Sequence, residues 1–390
     1  MKFVVESTSL KTIAAVEAVL GDPRFTLITV PKAPPYTKPK ALNYALPFVR
    51  GQHVVVYDAE DIPAPDQLRL AASRFAAEPG IDCLQAELVL DNAAENWLTA
   101  LFAGEYAGQF GLMLPALARW RLPIPLGGTS NHFRTDGLRD LGGWDAFNVT
   151  EDADLGLRMA RLRYRVATFD SQTREEAPIA LSEWMRQRTR WMKGWMQTFI
   201  VHNRNPRQFF RDAGWRGGLA FEIYVGSLIL SAPLHTIFLG SVLVRLALGS
   251  SANSEPLGIL PIIAGLIFVL GYSGAIALVV IGLLRLRKKR LLAYQLLLPF
   301  YWVLHSVATV RACYQLLARP YFWAKTSHGR TSMTRPVAML GDGIARHQFM
   351  QQKGIRGLAQ PVRRAWAALS QDLPARRLRR RFGNSDRAKR

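Results

Sequence analysis

Short apolar runs rich in β-branched residues fall at 3–5, 26–30, 54–57 and 83–90, and stretches of helical period at 10–20, 41–49 and 65–77 separate them. This alternation predicts an α/β domain with a mostly parallel sheet. In such sheets ligands bind beyond the carboxyl ends of the strands, so the residues that follow each strand are the first place to look for chemistry. No internal repeat appears.

Beyond residue 200 the pattern changes. Residues 257–284 carry no charge over 28 positions, longer than the roughly 20 residues a membrane-spanning helix needs. Residues 219–248 are nearly as apolar, with Glu222 and Arg245 near the two ends, and read as a second span. A third apolar segment, 291–318, is interrupted by Pro299, His305 and Arg311. Arg204, Arg207, Arg211 and Arg216 precede the first span and RLRKKR at 285–290 follows the second, while SSANSEP between the two has no base. The positive-inside rule then places the first 200 residues in the cytoplasm and favours a re-entrant, hairpin or interfacial third segment, since a further crossing would export the basic tail. No signal peptide pattern precedes the soluble part, so the internal spans are expected to supply targeting. The predicted organisation is a cytoplasmic domain over 1–203 with an interfacial helix at 182–201, a membrane region over 204–328, and a cytoplasmic tail over 329–390.

Charge changes little in this picture. The formal net charge is +21, and residues 329–390 hold 15 Lys+Arg against 3 acids. A basic tail lying against anionic lipid accounts for that excess, and no nucleic-acid partner is expected. Two cysteines, Cys83 and Cys313, exclude a disulfide framework and fit a reducing compartment.

Candidate chemistry sits after the strands. Asp58-Ala59-Glu60-Asp61 follows Val54-Val55-Val56-Tyr57. Carboxylates at a strand end suit Mg²⁺ or Mn²⁺ shared with a nucleotide diphosphate, and the same tetrapeptide reads equally as an acidic turn before a helix. Lys38-Pro39-Lys40-Ala41-Leu42-Asn43 opens a helix with two lysines at its anion-favouring end, either a phosphate site or a solvated helix start. Gly127-Gly128-Thr129-Ser130-Asn131-His132 joins backbone that a ligand can approach closely to polar groups suited to a sugar, or forms a plain turn. Thr150-Glu151-Asp152 offers a general base or simply a helix cap. Residues 182–201 combine Trp184, Trp191 and Trp195 with Arg186, Arg188, Arg190 and Lys193, an amphipathic pattern suited to a membrane interface.

The order and spacing of Lys40 to Asn43, Asp58-Ala59-Glu60, Gly128-Thr129-Ser130, Thr150-Glu151-Asp152 and Gln187-Arg188-Thr189-Arg190-Trp191 resemble the successive motifs of membrane-embedded family 2 glycosyltransferases, and most of all the cellulose-synthase-like branch. The resemblance covers roughly residues 1–330, including Trp323 to Gly329. It implies a GT-A-like, Rossmann-like α/β domain followed by transmembrane helices in a bacterial inner or plasma membrane. It further implies a metal-dependent inverting transfer of a sugar from a nucleotide-sugar, by default a UDP-sugar, to a growing polysaccharide or glycan, with a lipid-linked acceptor as the alternative. On this chain the metal ligands would be Asp58 and Glu60 and the base Asp152. Lys40, Asn43 and Glu6 would contact the donor, and Gly128, Thr129, Ser130, Asn131, Glu151, Gln187, Arg190 and Trp191 the acceptor. The family's first strand, which precedes the sequence corresponding to Phe3-Val4-Val5, has no counterpart here, so an N-terminally truncated chain or a non-catalytic copy is expected. Two or three spans are few for a translocation channel, so a homo-oligomer or accessory secretion subunits are expected as partners.

Overall fold

The computed structural model describes residues 1–248 and 259–320; the Trp323 to Gly329 stretch and the basic tail lie outside the described residues. The early strands and helices fall where the periodicity places them. Strands β1 (Lys2–Glu6) and β2 (Thr26–Val30) flank helix α1 (Leu10–Glu17), and α2 (Lys38–Ala45) leads to β3 (His53–Val56). A two-residue strand β4 (Ile62–Pro63), helix α3 (Gln67–Ala77) and the fully buried β5 (Cys83–Leu90) follow.

The sheet is a correction to the sequence reading. β1 and β2 pair in parallel as a separate ribbon, with Val4 opposite Ile28. The main sheet has the order β3-β6-β5-β7-β4, where β6 is Asn131–Arg134 and β7 is Val166–Glu175. Its only parallel pair among the described residues is β5 with β7; β6 runs antiparallel to both β3 and β5. The reason is where β6 begins. The Ser130 N–H donates to the Val56 carbonyl at 2.8 Å and Asn131 stands opposite Val56, so the strand enters at the sheet end where β3 leaves. The Gly127 to Ser130 turn is thereby set against the residues after β3.

Between β5 and β6 the chain forms α4 (Trp97–Gly108), a π-type turn at Gln109–Met113 and α5 (Leu114–Arg119). Asn96 caps α4 by accepting from the Leu98 and Thr99 N–H groups. After β6 come α6 (Thr135–Asp140), α7 (Glu151–Arg161), and then α8 (Leu181–His202) beyond β7. The bases and aromatics of α8 suggest an interfacial helix, yet much of it is covered by protein. Trp184 is fully buried against Tyr301 and His305, and Met192 and Met196 pack with Ala312.

Three further helices are long and apolar enough to cross a membrane. α9 (Pro206–Ala247) is broken at Gly214, whose φ of 73° interrupts the helix. α10 (Ile259–Arg285) matches the uncharged run. α11 (Leu298–Ala318) is one unbroken helix rather than a hairpin or re-entrant turn, because Pro299 falls in its first turn, where no intrahelical N–H is lost. Leu266, Ile267 and Leu270 on α10 and Phe300, Val310 and Leu317 on α11 are exposed, as a bilayer-facing surface requires. One apolar core joins α10 and α11 to the sheet: Leu88 of β5, Phe102 and Tyr106 of α4, Trp184 of α8, Leu283 of α10 and Tyr301 of α11 belong to it.

Candidate active site

Five segments meet in one cavity of about 1580 Å³. Asp58, Glu60 and Asp61 come from the end of β3, Gly127 and Gly128 from the turn before β6, and Glu151 and Asp152 from the first turn of α7. Gln187, Arg188, Arg190 and Trp191 come from α8, and Lys38 closes the ring from the start of α2.

Lys38, rather than Lys40, reaches this cavity. Its ammonium pairs with Asp58 and donates to the Gly128 carbonyl at 2.6 Å. Burial pushes its pKa down, but Asp58 and Glu151 outweigh burial and hold it above the ordinary lysine value. Lys40 turns the other way, pairing with Glu6 at 3.1 Å and donating to the Pro31 and Ala33 carbonyls. It thus ties α2 to the β1–β2 ribbon. Asn43 clamps the Trp144 backbone, donating to its carbonyl at 2.6 Å and accepting from its N–H at 2.9 Å. Glu6, Lys40 and Asn43 are absent from the cavity lining.

The β3 carboxylates are held ready by backbone and hydroxyl donors. The Asp58 N–H donates to Asp61 at 2.7 Å, and Thr129 donates its hydroxyl to the same carboxylate. Burial raises Asp61 to about 6, with further upward pressure from Asp58 and Glu60. Glu175, at the end of β7, is driven far above the usual carboxylate range by burial and by Asp61, Asp58 and Glu60. Among the described residues no three carboxylate, imidazole or thiol groups form a ready-made metal site. Asp58 and Glu60 nevertheless fit Mg²⁺ or Mn²⁺, which is usually held by one or two carboxylates with phosphate oxygens completing the shell. The mutual repulsion in this cluster is what a cation relieves.

Of the glycine turn, only Gly127 and Gly128 line the cavity. A Cβ at Gly128 would stand 3.2 Å from Asp152 Oδ2, so the bare backbone leaves room beside that carboxylate. Thr129, Ser130 and Asn131 are buried behind it and support the turn. Ser130 donates to Thr173 at 2.6 Å and Asn131 to the Gly127 carbonyl at 2.6 Å.

Glu151 and Asp152 occupy the N-terminal turn of α7, where free N–H groups favour carboxylates. Thr150 holds the cap position, but its hydroxyl bonds to Asn148 at 3.3 Å instead of capping the helix. Burial and the Asp152 charge raise Glu151 to about 8. Burial also raises Asp152, against the pull of the Ala153 N–H, Lys38 and Arg190. Gly194 of α8 is packed so closely on Thr150 that a Cβ there would collide with it, which brings Arg190 and Trp191 toward the carboxylates.

Sequence reasoning missed Glu105, a lone acid in apolar α4. It accepts two hydrogen bonds from Arg188, at 2.5 and 2.6 Å, and one from the Tyr301 hydroxyl at 3.0 Å. Arg188 also lies over the rings of Phe102 and Trp191 at 4.2 and 4.7 Å. The signal was the arginine between Gln187 and Arg190 on a helix whose partners are apolar, which demands a buried counter-charge.

A family model described as glycosyl transferase family group 2 matches residues 53–322. The chain belongs to this family. Its mixed sheet with flanking helices is the GT-A-like fold, followed here by three candidate membrane-spanning helices. The probable glycosyltransferase YdaM of Bacillus subtilis (strain 168) is 27% identical over 169 residues, 43% of this chain and 40% of the relative. Cellulose synthase 1 of Komagataeibacter xylinus is 25% identical over 237 residues, 58% of this chain and 15% of the relative. The beta-monoglucosyldiacylglycerol synthase of Nostoc sp. (strain PCC 7120 / SAG 25.82 / UTEX 2576) is 27% identical over 165 residues, 42% of this chain and 35% of the relative. The matched region thus spans less than half the length of each of these relatives. Among solved structures, the mannosyltransferase PcManGT from Pyrobaculum calidifontis in complex with GDP-Man and Mn²⁺ is similar over 80% of this chain and 76% of its own, at 22% identity and a TM-score of 0.47.

Proposed function

We propose that the protein is an inverting glycosyltransferase that moves a sugar from a nucleotide-sugar, by default a UDP-sugar, to an acceptor hydroxyl at the membrane. The observation that carries this reading is the convergence of Asp58, Lys38, Asp152, Arg190 and Trp191 on one cavity that continues between the membrane helices.

In this reading Asp58 and Glu60 hold Mg²⁺ or Mn²⁺, which neutralises charge on the leaving diphosphate when bound. Lys38 contacts the diphosphate directly, exchanging its bond to Asp58 for phosphate oxygens. Asp152 accepts the acceptor's proton while the hydroxyl oxygen bonds to the anomeric carbon and the bond to the diphosphate oxygen breaks on the opposite face. A single displacement of this kind inverts the anomeric centre and needs no enzyme nucleophile. The raised Asp152 pKa favours proton acceptance. Glu151, protonated near neutrality, stands beside it as a neutral donor rather than a competing charge. Gly128 leaves space for the reacting sugar, and Trp191 offers a ring face for stacking. Gln187 and Arg190 complete the acceptor and pyrophosphate contacts, while Thr129, Ser130 and Asn131 brace the glycine turn.

The enzyme would sit as a multi-pass protein in the cell membrane, with the domain before α9 in the cytoplasm, where nucleotide-sugars are supplied. Nucleoside diphosphate release from a panel of nucleotide-sugars, with and without Mn²⁺ or Mg²⁺, tests this reading. Turnover with one donor that requires metal supports it, and a folded sample inert toward the whole panel contradicts it.

A further inference from the structure

We propose that one face of the second half of α8, formed by Gly194, Gln197, Thr198 and His202, is the cradle that aims Asp152, with His202 as its principal positioning residue. The proposal rests on the transferase reading above and names what orients its base.

Asp152 has little of its own to fix its direction. Its carboxylate accepts from the Ala153 N–H at 2.8 Å, within the same helical turn, so where it points follows where that turn is placed. Thr150 at the cap position does not bond that turn either. The placement comes from α8, where residues 194, 197, 198 and 202 share one face because helical neighbours lie three and four positions apart. Gly194 lets Thr150 close against the helix. Gln197 accepts from the Val149 N–H at 3.3 Å. Thr198 accepts from the Asn148 amide at 2.9 Å, and the Asn148 oxygen takes the Thr150 N–H at 3.0 Å. The chain from Asn148 to Thr150 is thus seated on α8 immediately before the base.

His202 holds the same helix two residues past the base. Its Nε2 lies 2.9 Å from Asp154, and its Nδ1 lies 3.3 Å from the Arg161 guanidinium, which Asp212 of α9 holds in turn at 2.8 Å. A guanidinium can only donate, so Nδ1 accepts, and the ring proton sits on Nε2 and is donated to Asp154. Arg158 donates to the second Asp154 oxygen at 2.9 Å and to the Leu141 and Gly143 carbonyls. Asp154 and His202 are both buried. Burial pushes the Asp154 carboxyl up, and His202 and Arg158 more than reverse it, so a buried charge depends on these bonds. Two residues along a helix turn about 200°, so Asp154 faces away from Asp152, and of the two only Asp152 lines the cavity. His202 therefore sets the roll of the base helix without touching a substrate. The diphosphate contacts, Lys38 and Asp58, come from other elements, so a change of roll should slow turnover and spare donor binding.

The test uses the full chain in detergent with Mn²⁺ and UDP-glucose, UDP-N-acetylglucosamine or GDP-mannose. It reads diphosphate release per folded molecule below the unfolding midpoints. His202→Phe keeps the ring and removes the donor; kcat should fall by about tenfold to a hundredfold while the donor KM stays within about twofold. His202→Gln, whose amide can donate to Asp154, should recover most of that loss. Arg134→Ala removes bonds to the Ile81 and Phe75 carbonyls at the far end of β6, and should lower the midpoint with kcat like the parent's. Thr198→Val, which strips the acceptor from Asn148, should lower kcat by about threefold or more and decides alone if His202→Phe does not fold. Four results overturn the cradle while leaving the transferase standing: parent-like kcat in the deciding variant, a raised KM at unchanged kcat, a glutamine variant as slow as the phenylalanine, or an equal kcat loss in Arg134→Ala. A folded parent that releases no diphosphate from any of these donors contradicts the transferase reading itself, and the proposal with it.

Discussion

Arg188 and Glu105 form a two-point ion pair, 2.5 and 2.6 Å, that joins α8 to α4 at the cavity wall. Tyr301 of α11 donates to the same carboxylate, so one acid fastens the motif helix, the soluble core and a candidate span. The pair holds Glu105 ionised: burial pushes its carboxyl up, and Arg188 more than reverses that. Removing one member strands the other charge in a buried setting. Glu105→Gln should therefore cost about 3 kcal/mol of stability, the low end for a buried pair, read as earlier unfolding in detergent. An unchanged midpoint would show that the pair is not a structural fastener.

Lys38 and Lys40 are two residues apart on α2 and do different work. Lys38→Ala should raise the KM for the nucleotide-sugar by about tenfold to a hundredfold, the scale of one charge-assisted bond to phosphate. Lys40→Ala should leave that KM alone and lower stability by about 1–2 kcal/mol, because it unties Glu6 and two carbonyls. Steady-state kinetics on both variants checks the assignment, and the reverse ranking refutes it.

Gly128 bears on Asp152 through space alone. A methyl group at 3.2 Å from the carboxylate must push it aside by a few tenths of an ångström. Gly128→Ala should lower kcat by about tenfold to a hundredfold, since small misplacements of reacting groups are costly, while the unfolding midpoint stays put. A fully active alanine variant would place the reacting groups elsewhere.

Glu151 predicts a pH dependence of stability. Burial and Asp152 hold its folded pKa at about 8, above the free value of 4.5, so folding favours the protonated form. Its contribution is full below pH 4.5 and is lost as pH rises toward 8. Glu151→Gln cannot ionise, and its unfolding midpoint should fall less than the parent's between pH 5 and 8. Parallel curves for the two proteins would mean that Glu151 is charged at neutral pH.

Much of the fold was legible because β1, β2, β3 and β5 are apolar runs bounded by helical stretches. β6 was not, since Asn131-His132-Phe133-Arg134 reads as polar loop, although it lies between β3 and β5 with His132 buried against Tyr57 and Phe169. Missing β6 hid the antiparallel pairing, and with it the reason Gly128 stands beside Asp58. Segment order brought Asp58, Glu60, Gly128, Asp152, Gln187, Arg190 and Trp191 into view, and all line the cavity. Which lysine faces inward was invisible, because it depends on the direction of single side chains at the first turn of α2. Glu105 was hidden for another reason: its partner lies 83 residues away, so Arg188 signals a buried counter-charge without saying where in the chain it sits.

In the proposed reaction Asp152 takes the acceptor's proton. The most direct test is the turnover of Asp152→Asn beside the parent, with donor affinity measured on both by equilibrium binding. The amide keeps the shape and cannot accept the proton, so turnover should fall by about a hundredfold to ten-thousandfold while donor affinity is retained. An asparagine variant that turns over like the parent would contradict the assignment.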